Sequence, residues 1–93
     1  MGLRFEWDEK KAKQNLKKHG VSFEEAATVF GDPLSMTIAD PLHSTVEHRW
    51  VTMGLTYRER LAVVVHTNRG STIRLISARK ATRREKRAYA EEN

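Results

Sequence analysis

Two apolar runs, Leu61–Thr67 and Thr72–Ala78, separated by the polar Asn68-Arg69-Gly70-Ser71, constrain this chain more than any other feature. Short runs rich in Val, Ile and Leu, broken by a turn containing Asn and Gly, read as the two antiparallel strands of a β-hairpin. A three-residue loop Asn68-Arg69-Gly70, with glycine in the left-handed position, pairs Thr67 with Ser71. Val65 then faces Ile73 and Val63 faces Leu75, so one side of the hairpin is entirely aliphatic. The other side sets His66 opposite Thr72 and Val64 opposite Arg74. A two-residue loop would slip the register by one and split the aliphatic face. The expectation is a central hairpin with His66 and Arg74 on one surface.

The elements before and after it follow from local signals. Leu3, Phe5 and Trp7 alternate with polar residues as in a strand. Asp8 is suited to cap a helix that runs to His19, with Ala12 and Leu16 as a meagre apolar stripe, Lys17, Lys18 and His19 at its negative end, and Gly20 as its stop. Ser22-Phe23-Glu24-Glu25 has the form of a capping box, the Glu25 side chain reaching back to Ser22. It opens a second helix with Phe23, Ala26, Ala27, Val29 and Phe30 on one face, ended by Gly31-Asp32-Pro33. Leu34–Ile38 and Val46–Leu55 read as strands on either side of an Asp40-Pro41 turn. Thr82-Arg83-Arg84-Glu85 is a second capping box, starting a helix that continues to the end. The order β-α-α-β-β-β-β-α describes an α+β domain with a mostly antiparallel sheet, two N-terminal helices and a C-terminal helix. The 93 residues make a single domain, 1–93. The helices are expected on the aliphatic side, leaving the His66/Arg74 side open.

Composition narrows the chemistry. With no Cys there is no disulfide, no zinc–thiolate site and no cysteine nucleophile. No apolar run is long enough to span a bilayer and Met1–Asp8 is no signal peptide, so a cytoplasmic protein without membrane contact is expected. The net charge of +5 is unevenly placed. Lys10, Lys11, Lys13, Lys17 and Lys18 form one cluster, and Arg74, Arg79, Lys80, Arg83, Arg84, Lys86 and Arg87 a denser one. Gly20–Leu42 contains no Lys or Arg. That pattern suits an anionic partner, although a run such as Lys10–Lys18 is equally a solvated helix face. The four His show no helical i, i+4 pair, and His43 and His48 lack a nearby third ligand, so no metal is expected. Neither a Gly-rich phosphate loop nor a G-x-S-x-G elbow is present, and no cofactor is called for.

What remains is a surface of His, Arg, Lys and Glu, and one chemistry suits it. RNA carries its own nucleophile, the 2′-hydroxyl, so a protein need only move protons and stabilise the charged phosphorane. His66 beside Arg74, with Arg79 and Lys80 just beyond the strand, would supply such groups. The plainer readings are that His66 ends a central strand with a local hydrogen bond, that Arg74 is an ordinary exposed strand residue, and that Glu47 and Arg49, two apart on one strand face, form a structural ion pair.

The segment Phe5-Glu6-Trp7-Asp8-Glu9-Lys10-Lys11, continuing through Asn15 to Lys18-His19-Gly20-Val21-Ser22-Phe23-Glu24-Glu25-Ala26, resembles the opening of the BrnT toxin family. So do Asp40-Pro41 with His43-Ser44, Glu47 with Arg49, and Val64-Val65-His66-Thr67. The run from Ile73 through Arg74, Ala78, Arg79 and Lys80 to Arg83 is similar to the family's most specific segment, and the likeness covers nearly the whole chain. It implies a RelE-like fold and a metal-independent endoribonuclease that inhibits translation as the toxin of a type II toxin–antitoxin pair. It also implies a BrnA-type antitoxin that binds the toxin and, through its own domain, the promoter DNA. On this basis His66, Arg74, Arg79, Glu47 and Arg49 are the expected catalytic residues, with His66 the leading acid or base. Lys80, Arg83, Lys18 and His19 are expected RNA contacts. His48 and Trp50 depart from the family pattern, which would have Glu and Phe there, and Leu55–Arg60 lacks the Gly associated with that turn. A non-catalytic basic module, for nucleic acid or for an acidic protein partner, is the alternative.

Overall fold

The computed structural model describes residues 3–40 and 48–92. Its elements are β1 (Arg4–Glu6), α1 (Glu9–His19), α2 (Phe23–Ala27, continued as a 3-10 turn over Thr28–Gly31), β2 (Met36–Ala39), β3 (Trp50–Leu55), β4 (Leu61–Arg69), β5 (Thr72–Lys80) and α3 (Arg83–Glu92). Among the described residues the strands form one sheet in the order β1-β5-β4-β3-β2. Every neighbouring pair is antiparallel except β1 with β5. This is the α+β arrangement and element order expected. The expected start of the strand at Val46 lies outside the described residues.

The caps behave as the local sequence demands. Asp8 accepts from the Lys10 and Lys11 backbone N–H groups, and Gly20 ends α1 in the left-handed conformation at φ 72. Ser22 Oγ accepts from Glu25 N at 3.0 Å, but the return half of that box is missing. Instead the Glu25 carboxylate turns inward and accepts from Arg60 Nε at 2.9 Å, from Arg60 Nη2, and from Thr56 Oγ1 at 2.8 Å. These bonds, the arginine's first, hold the Glu25 carboxyl below its ordinary range. In the β3–β4 turn, Glu59 occupies the left-handed region at φ 60, where a glycine would sit without strain.

The hairpin register differs from expectation. The turn has two residues, Gly70 and Ser71, so Arg69 pairs with Thr72, Thr67 with Arg74, and His66 with Leu75. Alone, that slip would split the aliphatic face. A bulge corrects it: past His66 the ladder resumes with Val65 against Ser77, Val64 against Ala78 and Val63 against Arg79, which leaves Ile76 as one extra residue in β5. Ala62, Val64, Ile73, Leu75 and Ala78 thereby return to one face and pack on Val21, Phe23, Ala26 and Val29. A register counted outward from the turn assumes an unbroken ladder and so misses the bulge.

The helices are also not all on that face. α1 and α2 cover the first face, whereas α3 lies on the second, where Leu61, Val63 and Ala81 pack with Val51, Met53 and Tyr89. The reason is that the second face of β3 and β4 is apolar as well as the first face of β4, so a single helical layer would leave Val51, Met53 and Val63 in water. Within α1, Leu16 is 50% exposed, and Asn15 takes the buried position instead. Its side-chain amide donates to Val21 O at 3.0 Å and Ala78 O at 2.8 Å, and its Oδ1 accepts from Ala78 N at 3.0 Å. β1 pairs with β5 only as far as Arg74, and beyond it Asn15 stands in for the missing strand.

Candidate active site

Arg74 and Arg79 are five positions apart in β5, an odd spacing that puts side chains on opposite faces of a regular strand. The extra residue at Ile76 changes the parity, so both arginines stand on the second face, opposite Thr67 and Val63 respectively. Each is met by a carboxylate. Glu6, parallel partner of Arg74, accepts from its Nη1 at 2.6 Å. Glu85 takes Arg79 in a two-pronged pair, Nη1 to Oε1 at 2.8 Å and Nη2 to Oε2 at 2.9 Å. Glu85 also closes the capping box at the start of α3, accepting from Thr82 N at 2.8 Å while its own N–H donates to Thr82 Oγ1 at 3.2 Å. The Arg79 hydrogen bonds dominate in holding the Glu85 carboxyl at about 2, and the same pair raises the Arg79 guanidinium.

Solvent reaches these groups: the side chains of Arg74, Glu6 and Arg79 are 32%, 40% and 43% exposed. Between the two pairs the second face carries Val65 and Ser77, both partly buried, and the buried Thr67. Beside Glu85 a shallow apolar groove of about 260 Å³ runs over Met36, Ile38, Val51, Met53 and Val63. The arrangement offers partly exposed guanidinium donors at two points of the second face with carboxylates beside them, which suits an extended phosphodiester.

His66 is not part of it. At 3% exposure it lies on the first face, edge-on to Phe30 with centroids 4.9 Å apart. Its Nε2 is 2.8 Å from Thr52 Oγ1, which in turn is 2.7 Å from Thr37 Oγ1, and its Nδ1 is 3.2 Å from Asn68 Oδ1. With Asn68 Oδ1 as acceptor, Nδ1 carries the proton and Nε2 accepts from Thr52. Burial pushes the imidazole's pKa down, offset in part by Asn68. The expected sharing of one surface by His66 and Arg74 is therefore corrected: the two-residue turn puts Arg74 against Thr67 on the second face and His66 against Leu75 on the first.

The other expected residues are dispersed. Arg49, half-buried, directly precedes β3, and its carbonyl accepts from Asp40 N at 2.9 Å. Glu47 lies outside the described residues, as does His43. His48 lies against Trp50, with centroids 6.5 Å apart and planes 21° off parallel. Lys18 and His19, at the end of α1, face Ile76 and Ser77 across a cleft of about 300 Å³. Lys80 pairs with Ala62 on the first-face side and lies beside the Gly20 turn, so it points away from its neighbour Arg79. With Arg60 and Lys86 it lines an open hollow of about 450 Å³. Arg83 is exposed at the first turn of α3. Among the described residues no group of three or more His, Cys, Asp or Glu could hold a metal ion. None of their helices is long and apolar enough to cross a membrane.

Glu6 and Glu85 escaped the sequence reading. Glu85 registers there only as a cap, and Glu6 only as a polar strand position, because its partner is 68 residues away.

A family model described as "Ribonuclease toxin, BrnT, of type II toxin-antitoxin system" matches residues 7–85. Among solved structures, the crystal structure of the Brucella abortus ribonuclease toxin BrnT is similar at 22% identity and a TM-score of 0.64, covering 88% of this chain and 100% of that one. That likeness is one of fold. No curated protein matches.

Proposed function

The chain belongs to the BrnT family of ribonuclease toxins of type II toxin–antitoxin systems, and from that premise we propose that it cuts RNA internally and without a metal. On this reading the second face of the sheet directs the RNA's own 2′-hydroxyl against the adjacent phosphate. The observation that carries the reading is the bulge at Ile76, which gathers Arg74 and Arg79 on one face with both side chains partly exposed.

Attack by the 2′-oxygen concentrates negative charge on the phosphorane oxygens, and fixed guanidinium donors are worth most at that point. Arg74 and Arg79 fill that role, each turning toward phosphate the guanidinium N–H groups that its carboxylate partner does not take. Lys80, Arg83, Lys18 and His19 extend the contact along the backbone, Arg49 and Glu47 support the site, and the contribution of His66 is to the fold. Loss of intact RNA is how the protein inhibits translation in the cytoplasm. An antitoxin is the partner that this family implies. We assign it the BrnA type, holding promoter DNA through its own domain.

One observation favours the second reading, a non-catalytic basic module. Both arginines are already neutralised by carboxylates, as in a surface built for fold rather than for chemistry. Incubation of the purified protein with RNA and with matched DNA in EDTA decides between the two. RNA is expected to be cut and DNA to survive. Intact RNA would leave the binding module, and cleavage of both would exclude the 2′-hydroxyl route. Arg79→Ala should slow cutting by ~10²–10³-fold, the usual effect of removing one transition-state donor.

A further inference from the structure

We propose that the Glu6 carboxylate is the base that takes the 2′-hydroxyl proton, an assignment that rests on the reading of the second face as an RNA-cleaving site. Two carboxylates among the described residues reach that face beside an arginine, and they differ in what they have left to offer. Glu85 is saturated: Oε1 accepts from Arg79 Nη1 and Thr82 N, and Oε2 accepts from Arg79 Nη2. Such a group is a poor proton acceptor and a good structural anchor.

Glu6 has the opposite character. Its one hydrogen bond among the described residues runs from Arg74 Nη1 to Oε2, which leaves Oε1 open on a side chain that is 40% exposed. The parallel pairing of Glu6 with Arg74 fixes the two side chains next to each other on the same face. Arg74 thus spends one amino group on the base and keeps the rest of its fork for a phosphate oxygen. A guanidinium that bridges base and phosphate brings the 2′-hydroxyl of the preceding ribose to the base, which converts binding into alignment.

In the step itself the 2′-O–H bond breaks and its proton passes to Glu6 Oε1. The freed electron pair forms the bond from the 2′-oxygen to phosphorus. The bond from phosphorus to the 5′-oxygen breaks, its electron pair leaves with that oxygen, and the oxygen takes a proton from water. The hydroxide so formed recovers the proton from Glu6. The products are a 2′,3′-cyclic phosphate and a 5′-hydroxyl end, with no oxidant, reductant or co-reactant consumed.

Glu6→Gln tests this on the full-length chain with a fluorophore-labelled RNA. Glutamine keeps an oxygen for Arg74 and cannot take a proton. The expected result is kcat lower by ~10²–10⁴-fold with KM and RNA affinity unchanged, as for loss of a general base. The acid limb of the kcat–pH profile should vanish with it. Glu6→Asp, which restores a carboxylate, should recover part of the rate together with the acid limb. The proposal is overturned if Glu6→Gln cuts at the wild-type rate, or if its RNA affinity falls in step with its rate, since Glu6 would then only position Arg74. Persistence of the acid limb in Glu6→Gln overturns it as well. Failure of the wild-type protein to cut RNA is a separate outcome, which removes the nuclease reading and this assignment together.

Discussion

His66 shows how one side chain can be chemically suitable and structurally unavailable. Its sequence position, at the end of an apolar strand near arginines, is that of a catalytic imidazole, yet both ring nitrogens are committed to Thr52 and Asn68 beneath Phe30. The site of its titration is therefore fold stability. Burial lowers its pKa in the folded chain, so as pH falls the unfolded chain takes the proton first. Above about 6.5 the group contributes no pH dependence. Below that value the unfolding free energy should decline, by at most about 1.4 kcal/mol per pH unit for one proton, and level off beneath the folded pKa. Urea denaturation from pH 5 to 8 checks this: the decline should be present in the wild type and absent from His66→Gln. An equal decline in both proteins would assign it to other groups. Glu59 illustrates what single residues do reveal. The missing glycine is visible in the sequence, and the structure shows its consequence as a glutamate at φ 60.

At the scale of elements, legibility follows sequence distance. Asp8, Ser22 and Thr82 each bond backbone groups within three residues, and all three helix starts are readable for that reason. The bond from Asn15 to Ala78 spans 63 positions and leaves no local trace. An amphipathic reading of α1 favours Leu16 as the inward residue, but the edge of β5 needs hydrogen-bond partners more than it needs methyl groups. Asn15→Ala strips partners from the Ala78 N–H, the Ala78 carbonyl and the Val21 carbonyl, all in buried surroundings. We expect it to cost about 3 kcal/mol, against under about 0.5 kcal/mol for the half-exposed Leu16→Ala. Denaturation midpoints of the two variants check the ranking, and a larger loss in Leu16→Ala would refute it. The bulge at Ile76 belongs to the same scale. It arises from the conflict between a two-residue turn and an aliphatic face on both strands, and neither run shows that conflict alone.

For the whole molecule, the sheet is a partition with different duties on its two sides. The first face holds the larger core under α1 and α2. The second carries the arginine–carboxylate pairs and is only partly roofed by α3, none of whose residues is fully buried. What secures α3 is peripheral: the Arg79–Glu85 pair at its start, and Tyr89 Oη donating to Asp32 Oδ2 at 2.6 Å near its end. That last bond raises the Tyr89 hydroxyl to about 12. Opening α3 should thus require far less free energy than unfolding β4, which is buried from Leu61 to Val64 and again at His66 and Thr67. Native-state hydrogen exchange checks this, with α3 amides expected to exchange through local openings and those of Ala62–His66 through global unfolding. Equal protection of the two would contradict it. The net charge and the two basic clusters are legible in the sequence. Their division between faces was not, because it depends on parity along β5. Asn15 carries a final consequence, best expressed in the language of polymer chemistry. A sheet with two open edges is a difunctional monomer and can add copies of itself without end, whereas one blocked edge makes it monofunctional. By taking up part of the β5 edge that β1 leaves unpaired, a single amide acts as a chain terminator there, and among the described residues the sheet ends on the short strands β1 and β2.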